Sequence, residues 1–271
     1  PPMDGLDATQ LDRYSRHVIM DDVGPDGQAT LLESSVLVVG AGGLGSPVLQ
    51  YLAAAGVGRL GVADDDAVER SNLQRQVLHG TDDVGRPKVE SAAAAVETLN
   101  PDVTVDTYET RVTAADAPDL VADYDVVVDA SDNFATRFLL NDACVLADIP
   151  LVHGAIYRFE GQATTIRGGR PCYRCLFPEA PPAGAVPDCA EAGVLGVLPG
   201  TVGAIQATEA LKLLLGEGES LEGRLLVYDA SELTFEEVPI AANPDCPVCG
   251  DDPVIGSVAE ATYDGRCALG E

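Results

Sequence analysis

The sequence predicts an α/β protein with a doubly wound, mostly parallel sheet, continued by a smaller mixed or antiparallel C-terminal part. Three observations carry that expectation. The stretch VLVVGAGGLGSP at 36–47 is an apolar strand running into a G-x-G-x-x-G turn. Up to Pro150, short apolar strands alternate with helical stretches, the pattern of a parallel sheet. Beyond Pro150 the strands shorten and lose their intervening helices.

Taken in order, residues 9–33 (TQLDRYSRHVIM, then GQATLLE) read as helical. Strand 36–39 precedes a helix at 45–55 that stops at Gly56, and RLGVAD forms a second strand ending at Asp64. A helix over 86–99 is broken by Asn100-Pro101. VTVDTY (103–108) alternates as a strand does, DVVVDA (125–130) is a buried one, and a helix over 134–147 follows. LVHGAI, GQATTIR, RLLVYD and LTFEEV are the later strands, with one clear helix at 201–215. Residues 178–199 hold five prolines and are read as a mobile crossover, and 250–271, rich in Gly and Asp, as a loose tail.

Composition narrows the function classes. A chain of 271 residues with 46% apolar content can bury a substantial core. It has no apolar run long enough to span a membrane, and PPMDGLDATQ does not resemble a signal peptide, so a cytoplasmic protein is expected. The 44 acidic residues against 16 basic ones give a net charge of −28. Regular periodicity argues against an acidic disordered chain. An acidic surface for a basic partner is a second reading, and adaptation to high salt a third. The scattered acids and only two lysines, Lys88 and Lys212, favour the halophilic reading. Nucleic-acid binding through a basic face is not expected.

Gly40, Gly42 and Gly45 permit a tight turn that brings a phosphate close to a helix N-terminus, and Asp64 stands 24 residues after Gly40, where a carboxylate grips ribose. To this point an NAD(P)-dependent oxidoreductase fits equally well. Then Ser71-Asn72-Leu73-Gln74-Arg75-Gln76 and Gly85-Arg86-Pro87-Lys88 place cations and amides nearby. A triphosphate under attack needs that charge neutralisation; a pyridine nucleotide does not. Asp129-Ala130-Ser131-Asp132-Asn133 ends the 125–130 strand, where an aspartate suits Mg²⁺ and an Asn or Asp suits a helix N-cap. No P-loop and no G-x-S-x-G occur, and the histidines (17, 79 and 153) are scattered.

Of the seven cysteines, Cys172/Cys175 and Cys246/Cys249 form two C-x-x-C pairs separated by 70 residues. They suit a tetrahedral Cys₄ zinc site, with redox activity as the rival. Cys189, in PDCAEAG, is either a nucleophile in the crossover or an ordinary exposed thiol. Cys144 reads as core and Cys267 as incidental.

The ordered set Arg13-Tyr14-Ser15-Arg16, G-A-G-G-L-G-S, D-x-D, S-N-L-x-R-Q, G-x-P-K and S-D-N resembles the MoeB/ThiF family of ubiquitin-activating-enzyme-like adenylyltransferases, in particular its haloarchaeal members. The resemblance spans residues 11–249. It implies a Rossmann-like fold, a homodimer, and ATP·Mg²⁺-dependent adenylation of the Gly-Gly carboxylate of a small ubiquitin-like or sulfur-carrier β-grasp protein. It implies an ATP site of Gly42, Gly43, Asp64, Asp66, Asn72, Arg75, Gln76, Lys88, Asp132 and Asn133. Asp132 would hold magnesium, and Arg16 would act across the dimer as a finger. Zinc on the four paired cysteines would be structural, and Cys189 would capture the activated acyl group for molybdopterin or tRNA thiolation or for protein conjugation. It also implies one domain over 1–249, with a nucleotide half (1–150) and a partner and zinc half (151–249), before a flexible tail. The chain leaves no room for a rhodanese domain, so a separate sulfur donor is expected.

Overall fold

The computed structural model describes residues 5–179 and 193–263. Strands β1 (Ser35–Val39), β2 (Arg59–Ala63), β3 (Thr104–Tyr108), β4 (Val126–Asp129) and β5 (Leu151–Tyr157) pair in parallel. Strands β6 (Glu160–Ile166), β7 (Arg224–Asp229) and β8 (Thr234–Pro239) continue the same sheet antiparallel. The order across it is β3-β2-β1-β4-β5-β6-β7-β8. The predicted doubly wound sheet with an antiparallel extension is therefore present.

Strand period 2 sends alternate residues to opposite faces, and both faces of the parallel strands are covered. Val36 and Val38 of β1 join one core with α3 (Gly24–Glu33), α4 (Gly45–Ala55), α5 (Lys88–Leu99) and the long C-terminal helix α9 (Leu198–Leu215). Leu37 and Val39 join the other with α6 (Ala117–Ala122), α7 (Phe134–Ala147) and the short α8 (Tyr173–Leu176). Cys144 is fully buried in α7, as its apolar context predicts. Among the described residues no helix is long and apolar enough to cross a membrane.

Several boundaries differ from the sequence expectation. The helical stretch 9–33 is three helices: α1 (Ala8–Arg13), α2 (Ser15–Val18) and α3. Tyr14 interrupts the first two because it turns inward, only 3% exposed, donating its hydroxyl to Asp102 and accepting from Asn100 Nδ2. Helix 86–99 starts at Lys88, after Pro87 at the cap, and helix 201–215 starts at Leu198, with Pro199 in its first turn where no N–H is needed.

The loose tail expected over 250–271 does not hold for residues 250–263. Asp142, fully buried in α7, accepts two hydrogen bonds of 2.7 Å from Arg174 and one of 2.8 Å from Tyr263. Arg170 pairs with Asp251, and Val258 is 2% exposed in the α7-side core. Residues 264–271, Cys267 included, lie outside the described residues. A buried carboxylate with an arginine fork and a tyrosine holds this segment down, so Asp142→Ala leaves the Arg174 charge uncompensated. The variant should lose about 3 kcal/mol in denaturant unfolding, and residues near 263 should become protease-sensitive first. Unchanged stability would contradict that role.

Candidate functional site

The chain crosses from β1 to β2 on one side and returns to β4 on the other, so a crevice opens where strand order reverses. The glycine turn follows β1 and the Asp129–Asn133 loop follows β4. These loops touch: Gly40 has φ +102°, and a Cβ there would lie 2.6 Å from the Ala130 carbonyl oxygen. A Cβ on Gly45 would meet the Gly40 carbonyl, so the turn closes tightly onto α4. Among the described residues, the N–H groups of Gly42 and Gly43 take no hydrogen bond, and both residues are half-exposed. The Gln76 amide lies against Gly42 and the Arg75 stem against Gly43. Gln76 Oε1 is buried without a hydrogen-bond partner, a cost that a bound polar group would relieve.

The next segments knit behind the turn. Asp64 Oδ2 accepts from Ala41 N at 2.8 Å and Oδ1 from Asp66 N at 2.9 Å. Burial pushes the Asp64 carboxyl up, against the lowering pull of Lys88 and the two N–H groups. Lys88, with its side chain 7% exposed, is 2.6 Å from Asp66 and 3.7 Å from Asp64. Asn72 caps a short turn by accepting from Glu69 N, and Arg75 reaches only Ser71 O at 3.4 Å, leaving its guanidinium without an acidic partner among the described residues.

In the second loop, Asn133 caps α7 through Thr136 N at 2.9 Å, while Asp132 stays exposed at the mouth. The N-cap and the solvent-facing carboxylate are thus different residues. Asp129 is buried; it accepts from Ser131 and faces His153 Nδ1 at 2.7 Å, its register neighbour on β5. Burial is the largest influence and opposes ionisation of Asp129, but His153, Arg137 and Ser131 together outweigh it and hold the carboxyl below its usual range. Burial likewise pushes His153 down, toward the neutral ring. The other two unpartnered buried atoms among the described residues, Arg137 Nε and Gln206 Oε1, border this loop: Arg137 donates to Ser131 O and Gln206 to Asp129 O.

Far from the crevice in sequence, Cys172, Cys175, Cys246 and Cys249 converge with all four sulfurs within 4.8 Å of one another. Cys172–Cys246 is 3.6 Å and Cys175–Cys249 is 3.4 Å. Four sulfurs about 2.3 Å from one tetrahedral zinc would stand about 3.8 Å apart, so the donor set fits that ion. Burial and the neighbouring Cys246 push the Cys172 thiol up to about 12. For Cys246 burial acts the same way, but the Cys249 and Val248 N–H groups, together with the Cys249 and Cys172 side chains, outweigh it and lower the thiol.

The structure brings together Gly42, Gly43, Asp64, Asp66, Arg75, Gln76 and Lys88 through direct contacts, with Asn72 in the same segment and Asp132-Asn133 across the crevice. Arg16 is exposed on α2 and makes no hydrogen bond or ion pair with any of them. Cys189 lies outside the described residues. Sequence reading passed over His79 and His153, each buried beside one of the loops. Their only signal is a polar side chain inside an otherwise apolar stretch.

Both buried rings resist protonation. The unfolded chain binds protons near the ordinary histidine value of about 6.5 while the folded chain refuses them, so stability is full above that pH and falls on acidification below it. Unfolding free energy should decline from pH 7 toward 5.5, and less so in His153→Gln. A flat profile in the native chain would contradict the neutral assignment.

Comparison with known proteins identifies the family of the chain. The ThiF family profile matches residues 14–248. The SAMP-activating enzyme E1 of Haloferax volcanii is 68% identical, over 97% of each chain. The sulfur carrier protein adenylyltransferase of Thermus thermophilus is 56% identical, over 96% of this chain and 97% of its own. Neither is named as an oxidoreductase, and the NAD(P)-dependent reading finds no support there. Among solved structures, E. coli MccB with ATP superposes with a TM-score of 0.77 at 23% identity, over 92% of this chain and 77% of its own, which speaks to fold alone. With its family match covering nearly the whole described fold, the chain belongs to the ThiF family.

Proposed function

We propose that this chain uses ATP to adenylate the C-terminal Gly-Gly carboxylate of a small ubiquitin-like or sulfur-carrier protein. The observation that carries the reading is the pair of N–H donors on Gly42 and Gly43, unpartnered among the described residues and flanked by Arg75 and Gln76, with Lys88 on Asp64 behind the turn. Donors and cations converging on one crevice suit a triphosphate whose α-phosphorus is attacked. The names of the two close relatives support the same activity.

In this mechanism a carboxylate oxygen of the carrier attacks the α-phosphorus. The bond to the β-phosphate oxygen breaks, and pyrophosphate leaves with the electron pair. Gly42 and Gly43 N–H groups receive the phosphate and Asp64 the ribose hydroxyls. Lys88 exchanges its exposed partner Asp66 for phosphate oxygens, while Asn72, Arg75 and Gln76 fix the leaving group. Magnesium, held by Asp132 beside Asn133, would neutralise phosphate charge. Arg16, exposed on α2 and without an ion pair among the described residues, would complete a partner protomer's site in a homodimer. The Cys189 thiolate would then attack the acyl carbon, forming a thioester as the acyl C–O bond breaks and AMP leaves, with a separate protein supplying sulfur. Zinc on the four clustered cysteines would brace the C-terminal half without entering the chemistry. The net charge of −28 gives nucleic acid no purchase.

Asp132→Ala should abolish carrier-dependent ATP–pyrophosphate exchange, by at least a hundredfold, while its circular dichroism and melting stay native. Retained exchange in a folded variant would remove Asp132 from the site. For Cys189→Ser, exchange should persist while sulfur transfer to the carrier stops; normal thiolation would exclude Cys189 as the acceptor.

A further inference from the structure

The glycine turn is held from a side that the adenylation reading does not use. His79, 6% exposed, lies three residues beyond Gln76 and places its ring between the turn and α5. Its Nε2 is 2.8 Å from the carbonyl oxygen of Ala41, and its Nδ1 is 2.8 Å from Ser91 Oγ. A carbonyl oxygen only accepts, so Nε2 carries the proton. The Ala41 carbonyl thereby selects the tautomer, and in the neutral ring Nδ1 is left to accept from the Ser91 hydroxyl. Asp64 meanwhile takes the Ala41 N–H. Ala41 is thereby gripped at both ends of its backbone, immediately before the open N–H groups of Gly42 and Gly43.

We propose that His79, set in its Nε2–H tautomer by the Ala41 carbonyl and backed at Nδ1 by Ser91, is a positioning residue that fixes that carbonyl and so aims the Gly42 and Gly43 N–H groups at a nucleotide phosphate. This rests on the reading of the crevice as an ATP site. His79 touches no substrate and acts through the turn alone. Glycines on either side of Ala41 make the peptide planes there free to rotate, and a rotation of the Ala41–Gly42 plane would swing the Gly42 N–H away. Asp64 by itself restrains only the plane before Ala41. His79 restrains the plane after it.

The charged and titratable groups facing the ring are Lys88 and Ser91 from α5, Asp83 from the preceding turn, and Asp64. Burial is the largest influence and lowers His79, with Lys88 acting in the same direction and Asp83 and Asp64 opposing. The ring therefore stays neutral where the turn must bind nucleotide. Ser91 also lowers Asp83, so its single hydroxyl proton serves either Nδ1 or Asp83 at one time.

The test is steady-state ATP–pyrophosphate exchange, with a Gly-Gly-ended carrier saturating, on the native chain and on His79→Leu, His79→Gln and Ser91→Ala. Leucine fills similar volume without a donor, whereas the glutamine amide nitrogen can replace Nε2–H. His79→Leu should raise the KM for ATP about tenfold, with kcat changed far less, and His79→Gln should restore KM to within about twofold of native. Ser91→Ala should raise KM about threefold. Equal impairment by leucine and glutamine, or a native KM in folded His79→Leu, would overturn the proposal. If His79→Leu does not fold, a raised KM in His79→Gln or a native KM in Ser91→Ala would overturn it instead. Absence of exchange in the native chain would reject the adenylation reading itself, and mant-ATP binding to the same four proteins would then decide the role of His79 by the same pattern of affinities.

Discussion

The site exists because two loops from non-adjacent stretches of sequence come into backbone contact at Gly40 and Ala130. No side chain fits between them, since a Cβ at Gly40 would sit 2.6 Å from the Ala130 oxygen. That contact puts the turn after β1 and the loop after β4 on opposite lips of one crevice, where the parallel sheet changes direction. Everything assigned to nucleotide chemistry hangs from those lips. The remaining described architecture holds them in place: α4 and α9 under the first, and β5 with α7 under the second.

Each lip is braced by a buried carboxylate and a buried neutral imidazole. On the first, Asp64 and His79 hold Ala41; on the second, Asp129 gathers Ser131 and His153. This matters in a chain carrying a net charge of −28. Salt near 1 M shortens screening to about 3 Å and quiets the surface repulsion. The Asp129–His153 contact at 2.7 Å is buried on both sides and is screened far less than the surface charges. Both lysines fit this division, because Lys88 and Lys212 are ion-paired and largely covered.

Much of this was legible in the residues. Strand period, glycine punctuation and proline breaks mark the parallel half, and the spacing of the motifs from Gly40 to Asn133 names most of the crevice. The pairing of Asp129 with His153 was not legible, because it depends on the parallel register of β4 and β5, two elements separated by a helix. Tyr14 was lost inside a helical pattern, since only its burial against Asn100 and Asp102 breaks the helix there. Residues 250–263 read as loose on composition, yet Tyr263 finds Asp142 across 121 positions of sequence. Contacts that rest on a single long-range hydrogen bond leave no periodic trace.

The central claim is that the crevice activates a protein carboxylate with ATP. Its most direct test is intact-mass spectrometry of a Gly-Gly-ended carrier incubated with this chain, ATP and magnesium, without any sulfur donor. The account predicts a carrier species heavier by one adenylyl group, absent when the terminal glycine is removed. A carrier whose mass never changes, beside a chain that holds a nicotinamide dinucleotide instead, would contradict it.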